Sequence, residues 1–410
     1  MKDRVILHCD CNSFFASVET ALNPAYREVP MAVCGDPEER HGIVLAKNEL
    51  AKRYGIRTAD TVYSAKRACP SLVIAKPHYE EYVKFSRMVN DIYGEYTDLV
   101  EPFGIDESWL DVTASHRVFG SGERIAEEIR RRVREEIGIT VSIGVSFNKV
   151  FAKLGSDYKK PDAITVINRE NYKSIVYPLP VGDLLFIGRK SQEVLLSLGI
   201  RTIGDLASAP LALLQNKLGK SGEMMHRYAC GMDESPVAVP DALDVKSVGN
   251  GFTFKHDLVS ESEARVGIEY LSEEIGRRLR KKGMVANTVS LSIKDEYMRV
   301  IQRQRPLEKP SDISREIAEL AFSILKDEWR VGKPIRTITV TAQGLVKKST
   351  CAEQIGMFET TDCRDREKDR KREETVNIIR QKYGASSIVR GAIMESDIGI
   401  SPLKTADDDE

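Results

Sequence analysis

The strongest constraint on this chain is where three of its carboxylates fall. Val5-Ile6-Leu7-His8-Cys9 is a short apolar run with Asp10 directly behind it. Such a run reads as a buried strand that delivers an acid at its end. Further on, Val100 to Phe103 and Ser108 to Val112 read as two strands joined by a tight turn through Gly104-Ile105-Asp106-Glu107. If these strands share one sheet with the first, three carboxylates converge, and such a cluster is electrostatically intolerable when empty.

The surrounding pattern supplies that sheet. Ser13 to Leu22 reads as a helix closed by Pro24. Residues 27–77 alternate short strands with one charged helix, Lys47 to Tyr54, and 78–97 form a long helical stretch after Pro77. In Glu123 to Ile137, apolar residues recur every four positions at Ile125, Ile129, Val133 and Ile137, which predicts an amphipathic helix. Thr140 to Val145 reads as a strand and Asn148 to Tyr158 as a helix. This order suits an α+β palm whose sheet carries helices on one face.

From Leu179 the texture changes. The stretch from Val181 through Gly188 to Lys190 precedes a helix ending at Leu198-Gly199-Ile200, and Thr202 starts another. Two short helices with glycine in the turn suit a helix-hairpin-helix, whose turn amides, Gly188 among them, can hold a DNA phosphate without reading sequence. An ordinary helical pair is the alternative. Residues 233–246, with Pro236 and Pro240, read as a linker. Residues 247–345 follow in β-α-β-β-α-β order, a split βαβ domain. Residues 364–400 add a charged helix and a short extension.

Composition excludes several classes. A chain of 410 residues allows about two to four domains. No apolar run approaches the roughly 20 residues that span a bilayer, and Met1 to Leu7 carries no signal-peptide pattern, so a cytoplasmic protein is expected. The seven cysteines include no C-x-x-C pair, which suits reduced thiols rather than a zinc site or disulfide framework. Net charge is −1, so distribution matters more than the sum. If Met298 to Gln304 is a strand continuing to Arg305, then Arg299, Arg303 and Arg305 share one face, with Arg336 in the last strand. Such rows suit backbone phosphates, or else a solvated strand face.

The segments around the acids carry a specific resemblance. His8 to Glu19 and Phe103 to Val112 resemble the two catalytic motifs of Y-family DNA polymerases. Ser142 to Lys153 resembles a third, and Lys159-Lys160-Pro161-Asp162-Ala163 follows at the expected distance. The resemblance implies a right-hand polymerase, α+β and multidomain. Its palm would be residues 1–25 and 78–170, its fingers 26–77, and its helix-hairpin-helix thumb 171–232. A linker at 233–246 would lead to a little finger at 247–345 and a C-terminal extension at 346–410. Asp10 and Asp106 would bridge two Mg²⁺ ions, Glu107 would hold the one that activates the primer 3′-OH, and the Cys11 carbonyl would complete the nucleotide-side ion. Phe15 matches a steric gate under the incoming sugar, with Phe14 beside it on the nucleotide side or in the core. Lys160 matches a triphosphate contact.

Two features depart from the family pattern. Where many relatives carry a tyrosine and an arginine that grip the triphosphate, this chain has Glu49 and Lys52, of which Lys52 would still bring its charge to the nucleotide but not a bidentate fork. Ile43 and Leu45 are bulkier than the alanine some relatives place over the nascent base pair. Gln354-Ile355-Gly356-Met357-Phe358 resembles the peptide with which bacterial polymerases dock to the sliding clamp, Gln354 at the pocket rim and Met357 and Phe358 filling it. The resemblance thus implies a low-fidelity lesion-bypass polymerase without proofreading. It would be a monomer that adds dNMP to a primer on template DNA, with the clamp as partner and no membrane. The rivals are a palm-type nucleotidyl cyclase and a non-catalytic relative that binds DNA and clamp.

Overall fold

The computed structural model describes residues 4–36, 42–239, 245–350, 360–394 and 396–400. It divides into two compact units, one of residues 1–35 and 43–243, the other of 36–42 and 244–410.

The first unit opens with β1 (Ile6–Cys11), α1 (Phe14–Leu22), β2 (Met31–Cys34), β3 (Val44–Lys47), α2 (Glu49–Lys52), α3 (Val62–Ala68), β4 (Val73–Ala75) and α4 (Tyr79–Gly94). The hairpin strands are β5 (Val100–Pro102) and β6 (Glu107–Asp111), followed by α5 (His116–Phe119), α6 (Gly122–Arg132), β7 (Val141–Ser146), α7 (Lys149–Tyr158), β8 (Ile164–Ile167) and α8 (Tyr172–Val176). Then come α9 (Arg189–Ser197), α10 (Ile203–Ser208), α11 (Leu211–Leu218) and α12 (Lys220–Ala229). The sheet runs β5-β6-β1-β7-β8, and β3-β2-β4 form a separate small sheet. Helix α3 and strand β8 were not legible in the pattern.

The large sheet is covered on both faces, not one. Leu7, Cys9, Leu110 and Ile143 pack against Val18, Tyr82, Val89, Ile125 and Ile129 of α1, α4 and α6. On the other face, Ile6 and Trp109 meet Ala152 of α7 and Val237. Every residue of β1 and β7 is buried accordingly, the signature of central strands under two layers. Val237 lies in the stretch read as linker. Residues 233–239 are bonded along the palm: Arg4 donates to the Ser235 carbonyl at 2.8 Å and the Ala238 N–H to Glu101 at 2.7 Å.

The second unit contains β9 (Ser247–Leu258), α13 (Glu261–Lys281), β10 (Met284–Asp295), β11 (Val300–Ser311), α14 (Ser314–Glu328), β12 (Ile335–Gln343) and β13 (Val346–Lys347). Its sheet runs β11-β10-β12-β9, antiparallel throughout, the split βαβ arrangement. Helix α15 (Thr360–Tyr383) and the short α16 (Gly391–Met394) belong to this unit. Buried Asp312 accepts from Arg370 at 3.0 Å and Lys348 at 3.1 Å, while Ile393, Ile398 and Ile400 enter the core. The charged helix is therefore part of the packed unit.

Candidate active site

Strand β1 lies between β6 and β7 in a register that sets Asp10 opposite Glu107. The Cys11 N–H donates to the Asp106 carbonyl at 3.0 Å. The three acids thus meet at one end of the sheet, with Glu107 opening β6 rather than lying in the turn. Burial pushes the Asp10 carboxyl up to about 6, against the pull of Lys160. Burial and the Glu107 charge push Asp106 up as well. Burial acts the same way on Glu107, but the neighbouring His8 and Lys153 outweigh it and hold that carboxyl at about 2.

Lysines supply the counter-charge. Lys160 donates to Asp10 Oδ2 at 2.6 Å and also pairs with Asp157 at 2.7 Å. Lys153 of α7 donates to Glu107 Oε2. Among the described residues no three His, Cys, Asp or Glu side chains are gathered as a ready coordination shell, and Asp10 and Glu107 each hold a lysine. Oxygen donors of this charge suit hard divalent cations. Burial first, and the Glu107 charge beside it, raise the carboxyls of Asp10 and Asp106, and an added cation would offset both. In charge and ligand chemistry the residues fit divalent cations.

A shell of residues that the sequence reading passed over holds these groups. Asn12 is buried; its Oδ1 accepts from the Asp162 N–H at 2.7 Å and from Thr140 at 3.0 Å, and its Nδ2 donates to Ser142 at 2.8 Å. It ties the loop after Lys160 to the end of β1. Lys149, one turn before Lys153 on α7, pairs with Glu101 at 2.7 Å and lies over the Trp109 ring. The i, i+4 spacing of the two lysines was the available signal.

The region around Phe15 is aromatic. The Phe15 ring stacks on Tyr82, centroids 4.1 Å apart at 11°, with Tyr79 edge-on at 6.0 Å. Tyr82 donates to buried Glu19 at 2.5 Å. Phe14 is buried in the core while Phe15 is only partly so, since adjacent helix positions point to different faces, and this burial supports the core reading of Phe14 over the nucleotide side. Glu49 and Lys52 form a pair at 2.5 Å, with Ser13 donating to Glu49 at 3.3 Å.

The expected DNA contacts are less uniform. Gly188 is the N-cap of α9. Arg299, Arg303 and Arg305 are engaged by Asp295, Glu328 and Asp327 at 2.9, 3.2 and 2.5 Å. Glu328 ends α14 and Asp327 precedes it, so Arg303 and Arg305 reach toward the helix layer and do not form a free row. Arg336 has no ion pair among the described residues. The opposite face of this sheet is rich in small polar residues: Gly249, Gly251 and Thr253 of β9 register with Thr341, Thr339 and Thr337 of β12. Gln354, Met357 and Phe358 lie outside the described residues. Among the described residues no helix is long and apolar enough to cross a membrane.

Comparison with known proteins agrees along the chain. The impB/mucB/samB family matches residues 9–157, its C-terminal domain 245–357, and the DNA polymerase-iota thumb domain 183–233. DNA polymerase IV of Acetivibrio thermocellus is 45% identical, the match covering 96% of this chain and 98% of that protein. DNA polymerase IV 1 of Bacillus subtilis is 36% identical over 97% of this chain and 94% of its own. A solved Y-family DNA polymerase chimera shares the fold, with a TM-score of 0.73 at 24% identity, covering 83% of this chain and 99% of that one. A sheet with acids at its end, a thumb and a split βαβ unit define a template-directed polymerase of the right-hand kind. The chain belongs to the Y family of DNA polymerases, in its DNA polymerase IV group. It is accordingly a translesion, DNA-directed DNA polymerase, a nucleotidyltransferase of a family that needs divalent metals and uses two of them.

Proposed function

We propose that Asp10, Asp106, Glu107 and the Cys11 carbonyl hold two Mg²⁺ ions, and that a dNTP is added to the primer with release of pyrophosphate. The observation that carries this reading is the β1–β6 register, which pairs Asp10 with Glu107 beside Asp106. Bound there, the two ions supply charge that stabilises the attacking and leaving oxygens of an in-line displacement. The protein's own part is positioning and electrostatics. Lys160 exchanges its link to Asp10 for the triphosphate, a task suited to a point charge on a flexible stem. Phe15, backed by Tyr82, fills the space a ribose 2′-OH needs and so selects dNTP. Glu49 neutralises Lys52, so triphosphate binding leans on Lys160 rather than on α2.

The hydroxyl- and glycine-lined face of the β9–β12 sheet and the amides at the start of α9 are the proposed DNA-facing surfaces. Arg336 is the proposed phosphate contact of the second unit. The Gln354 to Phe358 peptide is the proposed tether to the sliding clamp, serving a monomeric cytoplasmic enzyme. A primer-extension assay with Mg²⁺ on undamaged and abasic templates tests the reading. Cyclic nucleotide production without extension would favour the cyclase. Primer binding with neither activity would favour a non-catalytic relative.

A further inference from the structure

His8 is a buried titratable group that the mechanism above leaves idle. It sits on β1 two residues before Asp10, with no exposed surface, and so points to the face opposite its neighbours Leu7 and Cys9. Two contacts fix its ring, and a third group faces it. Trp109, its cross-strand partner, meets it edge-on with centroids 5.1 Å apart. Nδ1 lies 2.8 Å from the hydroxyl of Ser156 on α7. Nε2 lies 3.2 Å from Glu107 Oε2, close but too poorly aligned for a formed hydrogen bond, so that Nε2 is a buried polar atom still without a proper partner. A ring with no exposed surface is held in its neutral form by burial. A neutral imidazole has one N–H, and the Ser156 hydroxyl has one hydrogen to give. Ser156 is placed to donate either to His8 Nδ1 or to the Lys153 carbonyl, 2.8 Å away. If it gave to the carbonyl, Nδ1 would carry the imidazole proton, and a bare Nε2 lone pair would face the half-buried Glu107 carboxylate. If it gives to Nδ1, the proton is on Nε2 and faces an acceptor. Only the second arrangement is attractive.

We infer that His8 is a positioning residue for Glu107: Ser156 locks its Nε2–H tautomer, and Nε2 holds Glu107 by Oε2. Lys153 is bonded to the same oxygen, and Oε1 has no partner among the described residues. Glu107 is thus held by one oxygen and presents the other. Lysine is a mobile donor on a long stem, free to leave as cations enter; the imidazole is clamped by Trp109 and Ser156 and stays. Such outer partners orient a ligand, and losing one typically costs tenfold to a hundredfold in metal affinity. The inference rests on Glu107 being a metal ligand.

Two measurements test it. In metal-free protein labelled with ¹⁵N-histidine, the His8 signals, assigned by their loss in His8→Gln, should show protonated Nε2 and bare Nδ1. Protonated Nδ1 overturns the inference. Mn²⁺ binding is then followed by electron paramagnetic resonance, in complexes with dideoxy-terminated primer–template and dNTP. His8→Phe keeps a ring but no donor and should weaken Mn²⁺ binding roughly tenfold or more. His8→Gln puts an amide N–H near the Nε2 position and should stay within a few-fold of wild type. Primer–template affinity should not move in either. If Glu107→Gln weakens Mn²⁺ binding and folded His8→Phe does not, His8 is only packing. If Glu107→Gln itself has no effect, the metal assignment is what fails. Should His8→Phe not fold, the tautomer in the wild type decides alone.

Discussion

The Lys160 ammonium lies 2.6 Å from Oδ2 of Asp10 and is shared with Asp157. A residue proposed to grip the triphosphate therefore spends the metal-free state as counter-ion to a proposed metal ligand. It is about one-third exposed, so it can turn without disturbing the core. Lys160→Ala should raise the KM for dNTP at least about tenfold, since a charged hydrogen bond is worth about 1.5–3 kcal/mol. Steady-state insertion kinetics check this; an unchanged KM would remove Lys160 from the nucleotide site.

Asp106→Ala and Glu107→Ala should each abolish nucleotide addition and leave primer–template affinity nearly intact. Losing metal stabilisation costs several kcal/mol of barrier, roughly a thousandfold in rate or more. Single-turnover insertion and DNA binding are measured side by side. Turnover above about a tenth of wild type in either variant is incompatible with the two-metal role.

The raised Asp10 carboxyl has a stability signature. Its folded pKa of about 6 lies above the ordinary 3.8, so the folded state binds this proton more tightly than the unfolded one. The associated stability is present below pH about 4 and is lost as pH rises to about 6. Asp10→Asn cannot titrate here. In chelator-treated protein its stability relative to wild type should grow across that window and then level off, by at most about 3 kcal/mol. Urea denaturation at several pH values measures the difference. A difference that stays flat from pH 4 to 7 contradicts the buried, cation-seeking state assigned to Asp10.

Phe15→Ala should admit ribonucleotides. The ring stands on Tyr82 in a parallel stack, and Tyr82 is anchored on buried Glu19, so the ring proposed as the gate has little freedom to step aside. Comparing rNTP and dNTP incorporation by both proteins tests it. An unchanged ratio would make Phe15 a packing residue.

What the sequence made legible were features with a local signature. The apolar run before Asp10, the four-residue period from Ile125 to Ile137 and the hairpin around Asp106 all have a period or a turn, and the structure has β1, α6 with a π-helical turn running on from Val133 to Ile137, and the β5–β6 hairpin there. Features set by distant partners were not legible. Nothing near Arg303 or Arg305 in sequence announces Glu328 and Asp327, which turn these arginines toward a helix. Nothing in the isolated charged run after Asp365 says that its arginines meet Asp312 and Glu316, which lie some 50 residues earlier. His8 sat inside a quoted motif, yet only the β1–α7 packing brings Ser156 to it.

That packing depends on one missing side chain, which yields the last prediction. A Cβ on Gly144 of β7 would fall 1.9 Å from the Ala152 carbonyl oxygen and 2.6 Å from the Ser156 nitrogen. Both are backbone atoms of α7, so no rotamer change relieves the clash; the helix itself must lift. Helix α7 carries Lys149, Lys153 and Ser156, so lifting it withdraws the groups on Glu101, Glu107 and His8 together. Gly144→Ala should lose about 1–3 kcal/mol or more, the usual cost of overpacking. Activity should fall further than the unfolded fraction explains. Urea denaturation gives the first quantity, and single-turnover insertion at a temperature where the variant is fully folded gives the second. Wild-type stability in Gly144→Ala would mean that α7 has room to move. Reduced stability with wild-type insertion by the folded fraction would mean that the lysines and Ser156 reach the carboxylates without the tight β7–α7 contact.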